Sequence, residues 1–380
     1  MEIIIGECIY SPNFENIINK ENRKMANITA AMVKELREAT GAGMMECKKA
    51  LTETDGNFDE AVEVLRKSGA AKVEKKASRI AAEGVAKVAV SGNTAVVAEV
   101  NSETDFVAKN ETFQAFVQAV AEKALTVDVE EAGDGEDLVT ILDMKAELEE
   151  KTLTIGEKLS IRRFKKVSGD VVATYIHGGG RIGVLVAGTG ACDDAAKEAL
   201  TNIAMQVAAM NPTYVSRDEI SADELAKLRE ITIDSSLNDP ASLPKPILNK
   251  LIEKAYNEVW SAEDKAIYDE QKNNMQYLFN FLSKEAAAQV AGLAMDDKAN
   301  IMGDKIFAGM AEGRISKQLK EICLLDQVYV KAEDGKQSVA QYLGSVNKEL
   351  KISKIVRFEV GEGLEKKSEN FAAEVAAQLG

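Results

Sequence analysis

The same order of predicted elements occurs twice in this sequence, and this repeat constrains the fold more than any other feature. In the first copy, residues 85–90 and 95–101 are alternating runs rich in valine, joined by Ser91-Gly92-Asn93-Thr94. Two such runs around a short glycine-containing turn predict a β-hairpin. Residues 111–125 follow, with apolar side chains at the spacing of a helix. The first copy is therefore predicted to be strand, strand and helix.

The second copy begins at residue 171. Residues 171–176 and 181–187 are its alternating runs, and His177-Gly178-Gly179-Gly180 lies between them. A helix is predicted from about Asp194, because apolar residues recur there at helical spacing. Two strand-strand-helix units predict two related halves, each an antiparallel sheet with a helix, that pack as one core.

The chain before the repeat is short and helical. Three helices are predicted between residues 27 and 69, and the first ends at Gly41-Ala42-Gly43, because glycine ends a helix at little cost. The third begins at Asn57, with Glu60 at the spacing of a capping box. Residues 66–79 contain six basic residues and one acidic residue, which predicts a solvated, mobile or helical linker.

Two insertions interrupt the predicted core. Residues 126–158 hold eleven acidic residues and three lysines, which is typical of a solvated, helix-rich connector. The segment 216–326 contains amphipathic stretches and the capping-box spacing of Ser221 and Glu224. It is predicted to be a helical hairpin arm that projects from the core and serves docking or dimerisation.

These patterns predict an α+β protein whose remaining strands lie at residues 159–167 and 355–360. The predicted division of the chain is 1–24, an upstream extension; 25–79, the three-helix module and its linker; 80–167, the first half of the core with the acidic connector; 168–216, the first part of the second half; 217–326, the arm; 327–362, the completion of the second half; and 363–380, a C-terminal helical segment.

The composition excludes several classes of function. The 47 Lys and Arg against 62 Asp and Glu give a net charge of −15, which argues against broad binding to a phosphate backbone. A single histidine, His177, excludes a multi-histidine zinc site, and four distant cysteines without a CxxC pair indicate neither a zinc ribbon nor a disulfide framework. No apolar run reaches the ~18 residues of a membrane helix. We expect a cytoplasmic protein without metal, cofactor, nucleic acid or membrane, which binds a protein or a small ligand.

Motifs for covalent chemistry are incomplete. Residues 178–183 match GxGxxG, but a dinucleotide fingerprint must open a helix, and here a strand follows, so a hairpin turn is predicted. The His-Gly-Gly-Gly sequence is similar to the oxyanion strand of esterases, yet the chain has no GxSxG elbow. A GxxxxGK[ST] loop is also absent from the sequence. The chain is therefore not expected to be an enzyme.

One polar segment, residues 101–110 (NSETDFVAKN), lies between a predicted strand and a predicted helix and contains a single large aromatic residue, Phe106. Phe106 either folds back into the core beside the next helix or offers its ring to a pocket of a partner. Full burial in such a pocket is worth ~1.5–3 kcal/mol. The residues themselves leave both alternatives open.

Residues 1–24 show no pattern that continues into the helices after Met25. Lys20 and Glu21 can be encoded by AAGGAG, a ribosome-binding sequence, and the following codons would space it suitably ahead of an initiating Met25. We hypothesise that residues 1–24 are upstream sequence read from an early start. The intact mass of the native protein tests this, and a mass that includes Met1 would contradict it.

Four long motifs carry a family resemblance, which runs in order from Met25 to the C-terminus. They are ITAAMVKELREATGAGMMECKKAL (28–51), VNSETDFVAKN (100–110), HGGGRIGVLV (177–186) and RFEVGEGLEKKSENFAAEVAA (357–377). The chain resembles the bacterial elongation factor Ts family. Its long arm, especially residues 256–301, departs from the shorter members of that family.

The resemblance implies a UBA-like three-helix module and a guanine-nucleotide exchange factor. Such a factor binds elongation factor Tu, in its GDP-bound and nucleotide-free forms, and speeds GDP release during translation. By the same resemblance, Thr104, Asp105, Phe106 and Val107 would disturb the Mg²⁺ site of the partner, with Phe106 as the wedge and Asp105 bonded to groups of the partner.

The resemblance also implies contacts outside this segment. Met44, Met45 and Lys48 would touch the nucleotide domain of the partner, His177 would lie near its phosphate loop, and Phe371 would add a C-terminal contact. The residues alone leave core packing open for the two methionines and a structural hydrogen bond open for His177. A homodimer, a 2:2 complex, and a helical scaffold or ubiquitin-like binding module without exchange activity also stay open.

Overall fold

A computed structural model describes residues 28–272 and 274–365 of the chain. Its helices and strands are, in chain order, α1 (Ala30–Thr40), α2 (Met44–Glu53), α3 (Phe58–Lys76), β1 (Glu83–Ser91), β2 (Thr94–Ser102), α4 (Asp105–Ala108), α5 (Glu111–Thr126), β3 (Glu131–Ala132), α6 (Leu138–Ile141), α7 (Lys145–Ile155), β4 (Ser160–Ser168), β5 (Val171–His177), β6 (Ile182–Thr189), α8 (Asp194–Met210), α9 (Ala222–Leu237), α10 (Lys245–Glu258), α11 (Ala262–Gln271), α12 (Leu278–Phe281), α13 (Lys284–Asp296), α14 (Lys298–Gly303), α15 (Lys305–Ile322), α16 (Val339–Val346) and β7 (Lys351–Glu359).

This combination of helices and antiparallel strands confirms the predicted α+β class. Within the described ranges, no helix is both long and apolar enough to cross a membrane. The hypothesis about residues 1–24, the predicted contact Phe371 and most of the predicted segment 363–380 lie outside the described residues.

Both predicted hairpins are confirmed. Strands β1 and β2 pair antiparallel with Ser91 opposite Thr94, and β5 and β6 pair antiparallel with His177 opposite Ile182. The first hairpin belongs to a sheet of order β1-β2-β4-β3, and the second belongs to a sheet of order β5-β6-β7. The GxGxxG match is therefore part of a hairpin, as its strand-like continuation predicts.

The core is built of four layers, helix, sheet, sheet and helix. Helix α5 packs on the outer face of the first sheet, and α8 packs on the outer face of the second. The inner faces of the two sheets meet through Ala86, Ala95, Val97, Val167, Leu185, Ala187, Val356 and Phe358. Alternate residues of a strand point in opposite directions, so one face of β2 packs against α5 and the other packs against the second sheet. Both faces of β2 are therefore buried. This double burial explains why its sequence is almost continuously apolar.

The turn between β5 and β6 fixes the contact between the two sheets. Gly178, Gly179 and Gly180 all have positive φ, and the carbonyl of Gly180 accepts a hydrogen bond from the amide of Ala86 on β1 at 2.7 Å. Gly180 has φ +107°, and a Cβ added there would lie 2.6 Å from Cγ1 of Val85. Only glycine fits a position that combines this backbone angle with such a close approach.

Replacing Gly180 with alanine is expected to destabilise the protein by about 2–5 kcal/mol, from left-handed backbone strain together with overpacking against β1. Gly179 is the matched control, because it has φ +69° and open space around its Cα. Gly179→Ala should cost only the strain, about 1–2 kcal/mol. Urea unfolding of both variants measures the difference, and equal losses would contradict the close sheet-to-sheet contact.

The N-terminal module, formed by α1 to α3, has a small core of its own. This core consists of Val33, Leu36, Cys47, Ala50, Leu51 and Ala61. Helix α3 continues to Lys76, so most of the predicted basic linker is helical. It lies against α7, where Gly69 approaches Leu153 closely and Lys76 donates a hydrogen bond to the carbonyl of Thr152 at 3.4 Å. The module is thereby attached to the acidic connector.

The insertion between α8 and β7 contains more than the predicted hairpin. Helices α9 and α15 run antiparallel, joined by hydrogen bonds from Thr232 to Gln318 and from Arg314 to Ser236. Helices α10 to α14 pack around the far part of this pair in a separate apolar core that includes Trp260. Amphipathic spacing predicted the helices, but it did not show that they form a separate cluster.

Two segments complete the core. The acidic connector is helix-rich, as predicted, and it sends Leu138, Leu142 and Met144 into the apolar layer under α5. Helix α16, which was not among the predicted helices, packs Val339 and Leu343 with the apolar residues of α8. The acidic connector is therefore anchored on the outer face of the first sheet, and α16 is anchored on the outer face of the second. The connection between β2 and α5 lies at an end of the first sheet.

Candidate partner-binding site

The segment between β2 and α5 forms one helical turn, α4, and both α4 and α5 begin at a residue whose side chain caps the helix. The hydroxyl of Thr104 accepts a hydrogen bond from the amide of Val107 at 3.4 Å, which caps α4. Asn110 caps α5 through a bond from the amide of Phe113 at 3.1 Å. Successive residues of a helix point about 100° apart, so neighbouring side chains of this turn face the core and the solvent.

Phe106 faces the solvent. Its side chain is 80% exposed, whereas Val107 is buried in the apolar layer that includes Phe113 on α5. The alternative in which Phe106 folds back into the core is therefore wrong for the described conformation. An exposed phenylalanine forgoes the ~1.5–3 kcal/mol that its burial would supply, and the position of Phe106 is consistent with use in binding.

A carboxylate from another loop holds the start of this turn. Glu157 lies between α7 and β4 and accepts three hydrogen bonds. Its Oε2 accepts from the amides of Glu103 and Thr104 at 3.1 and 3.0 Å, and its Oε1 accepts from the hydroxyl of Thr104 at 2.7 Å. Bonds to an ionised acceptor are roughly twice as strong as neutral bonds, so the first residues of the turn are firmly placed.

The hydrogen bonding between these loops is reciprocal. The carboxylate of Glu103 accepts from the amide of Lys158 and forms an ion pair with Arg79 at 3.2 Å. The amine of Lys158 in turn donates to the carbonyl of Arg79 at 2.8 Å. Since Arg79 follows the end of α3, these bonds join the N-terminal module to the segment that carries Phe106.

Asp105 and Lys109 flank the exposed ring. They form an ion pair at 2.8 Å, and the amine of Lys109 lies 6.0 Å from the centroid of the Phe106 ring. The hydrogen bond from Lys109 lowers the pKa of Asp105 from its ordinary value. Asp105 is therefore an anion at neutral pH. Because its ion pair with Lys109 is exposed, replacing Lys109 by a group of another protein costs little free energy.

The N-terminal module offers a second exposed apolar site. Met44 and Met45 are both exposed at the start of α2, and Lys48 lies one turn further along and is also exposed. Core packing of the two methionines, which the sequence left open, is therefore wrong; Cys47 and Leu51 occupy the core instead. The role of these three exposed residues in binding stays a prediction.

His177 lies elsewhere, at the end of β5 in the second sheet. Its ring is exposed, and its Nδ1 lies 3.2 Å from the hydroxyl of Tyr175. This contact is the structural hydrogen bond that the sequence left open, and it orients the ring without burying it. A role of His177 in binding a partner stays a prediction.

A buried ionic cluster, which no pattern in the sequence indicates, surrounds Glu99 on β2. Glu99 on β2 is 0% exposed and accepts from Nη1 of Arg162 at 3.1 Å and from Nε of Arg163 at 2.6 Å. It also accepts from the amide of Gly361 at 2.8 Å and the side chain of Asn101 at 3.1 Å. The cluster ties the end of β7 to the first sheet.

In the described part of the chain, no group of His, Cys, Asp and Glu side chains could hold a metal ion.

Comparison with known proteins identifies the class to which this fold and site belong. The chain belongs to the elongation factor Ts family: the family profile described as "Elongation factor TS" matches residues 103–295 and 279–362. A particular relative is the elongation factor Ts of Clostridioides difficile (strain 630). It is 43% identical over 363 residues, which cover 93% of this chain and 100% of that protein. The chain is accordingly a translation elongation factor, and the resemblance found in its motifs is confirmed.

Proposed function

We propose that this protein is a cytoplasmic guanine-nucleotide exchange factor that binds elongation factor Tu and promotes the release of GDP. The single observation that carries the proposal is Phe106, an aromatic side chain that is 80% exposed on a turn fixed at its start by Glu157. The buried Val107 fixes the same turn from its inner side. A rigidly held, exposed aromatic residue is the kind of group that dominates binding when a partner supplies a pocket.

In the proposed mechanism, the ring of Phe106 enters elongation factor Tu beside its nucleotide site and shifts the elements that support Mg²⁺. Magnesium requires near-ideal octahedral geometry at about 2.0–2.1 Å, so a small shift of its ligands weakens it. A weaker metal holds the phosphates of GDP less well. Asp105, held as an anion, would compete for donors of the partner in the same region. No covalent step by this chain is needed.

Exchange of this kind obeys a thermodynamic constraint. If the factor weakens the binding of GDP to elongation factor Tu, GDP weakens the binding of the factor by the same ratio. The tightest complex is therefore the one without nucleotide, and GDP at high concentration should displace the factor from it. Met44, Met45, Lys48 and His177 are proposed further contacts that hold the partner while the nucleotide site is empty. Phe371 is proposed as another such contact on the basis of the sequence alone.

The proposal is tested with elongation factor Tu that carries a fluorescent GDP. Stopped-flow mixing with this protein and excess unlabelled GDP should accelerate the loss of fluorescence in a saturable way. The alternative, a helical scaffold or ubiquitin-like binding module, predicts release at the intrinsic rate, and that result would refute the exchange function. Light scattering of the nucleotide-free complex distinguishes a 1:1 complex from a homodimer or a 2:2 complex.

A further inference from the structure

We propose that Glu157 is a positioning residue for exchange, which acts by holding the α4 turn in the orientation that presents Phe106. This inference rests on the proposed exchange function and adds to it a residue that does not itself touch the nucleotide site of the partner. It starts from the three hydrogen bonds that one carboxylate accepts from Glu103 and Thr104, at 3.1, 3.0 and 2.7 Å.

The α4 turn cannot hold its own orientation. It has four residues, Asp105–Ala108, and a helix of this length is not stable by itself in water. Its direction must therefore come from contacts at its ends and on its inner face. Val107 supplies the inner contact, while Glu157 fixes the backbone immediately before the turn and the hydroxyl of Thr104 that caps it.

The loop that carries Glu157 is itself fixed. Gly156, with φ +88°, ends α7 in the left-handed conformation and turns the chain sharply toward β4. The next amide, that of Lys158, donates to Glu103, so the two loops are bonded in both directions. Because Glu157 is half-buried and lies beside the turn, its carboxylate can constrain Phe106 through the backbone.

The consequence for exchange follows from preorganisation. A binding group that is already held in its bound orientation loses less entropy when it binds. If only a fraction of the molecules holds the group in that orientation, the apparent affinity or rate falls in proportion to this fraction. Without Glu157, the ring of Phe106 would sample several directions. The maximal rate of catalysed GDP release should therefore fall, even though no residue in contact with the partner has been removed.

The experiment compares Glu157→Ala and Glu157→Gln with a matched control, Glu136→Gln. Glu136 is an exposed glutamate of the same connector whose carboxylate accepts a backbone amide, that of Gly133 at 2.8 Å, away from the α4 turn. We expect Glu157→Ala, which removes all three hydrogen bonds, to lower the maximal rate of catalysed GDP release about tenfold, which corresponds to about 1.4 kcal/mol. Glu157→Gln keeps an acceptor oxygen for the two amides and should lower the rate by a smaller factor, about threefold. The control should match wild type.

A double-mutant cycle separates positioning from general structure. If Glu157 acts through Phe106, Glu157→Ala should have almost no further effect in a Phe106→Ala background. Full additivity of the two losses would overturn the positioning role, because it would mean that Glu157 acts independently of the ring. If Glu157→Ala does not fold, the same cycle with Glu157→Gln gives the answer.

A second readout uses the free protein and no partner. In Glu157→Ala, hydrogen exchange at the amides of Glu103 and Thr104 should accelerate about tenfold, with the exchange of the β2 amides unchanged. Unchanged exchange at these two amides would overturn the inference. If wild type does not accelerate GDP release at all, the proposed function fails; if wild type accelerates it and both Glu157 variants match wild type, the positioning role alone fails.

Discussion

Replacing Phe106 with alanine is expected to lower the maximal rate of catalysed GDP release about 10- to 150-fold. Burying a phenylalanine side chain is worth ~1.5–3 kcal/mol, and each 1.36 kcal/mol corresponds to a factor of ten in rate. The loss falls on the rate because the ring is proposed to act on the nucleotide site. Met44, Met45 and the other proposed contacts should preserve much of the binding. Titration of elongation factor Tu–GDP with the variant separates the maximal rate from the half-saturating concentration.

Phe106→Ala should leave the stability of the protein within about 0.5 kcal/mol of wild type, because the side chain is 80% exposed and contributes nothing to the core. Phe281→Ala is the matched control, since Phe281 is also exposed, at 52%, but lies on α12 in the arm. Phe281→Ala should accelerate the release of GDP from elongation factor Tu as much as wild type does. A wild-type rate for Phe106→Ala would refute the wedge, and a loss in Phe281→Ala equal to that in Phe106→Ala would show that the effect is not specific to the α4 turn.

Glu99→Ala is expected to destabilise the core by about 3–5 kcal/mol. The wild-type carboxylate is fully buried and accepts from Arg162, Arg163, Asn101 and the amide of Gly361. Removing the carboxylate leaves the amide of Gly361 without its acceptor and takes the buried partner from both arginines, which keep ion pairs only with the exposed Asp134 and Glu362. Breaking a buried ion pair in this way costs far more than the pair contributes. Urea unfolding at neutral pH, followed by circular dichroism, measures the loss as a lower midpoint.

The control for Glu99 is Glu131→Ala. Glu131 lies on β3 in the same sheet and also forms an ion pair, with Lys165, but its side chain is exposed. An exposed ion pair contributes about 0–1 kcal/mol, so this variant should unfold almost as wild type does. If both variants lost the same stability, the cluster at Glu99 would not be a buried ionic anchor of the turn after β7.

Local signals in the sequence predicted the parts of the fold that form within a few residues. The hairpin turns were predicted at Ser91–Thr94 and His177–Gly180 because strand alternation and turn residues lie side by side, and the strands pair on either side of both turns. The capping box of Ser221 and Glu224 was predicted from its spacing and is present. Helix α16 carries the same signal at Ser338 and Gln341, so it could have been found in the same way.

Other features depend on distant parts of the chain that the fold brings together. The bonds from Thr104 to Glu157 span 53 positions, and the bond from Gly361 to Glu99 spans 262. Neither has a local pattern, because the partners meet only once the sheets have formed. The direction of Phe106 was left open for a related reason. In a one-turn helix a rotation of about 100° decides which residue faces the core, and here Val107 does.

Phe106 is proposed to act on GDP through the Mg²⁺ site of elongation factor Tu, and one measurement tests this most directly. GDP dissociation is followed by stopped flow at saturating wild type or Phe106→Ala, once with Mg²⁺ and once after its removal with EDTA. With Mg²⁺, wild type should be about 10- to 150-fold faster than the variant. Without Mg²⁺ the ring has no metal site to disturb, so the ratio should fall towards one. A ratio that stays the same in EDTA would contradict the proposed mechanism.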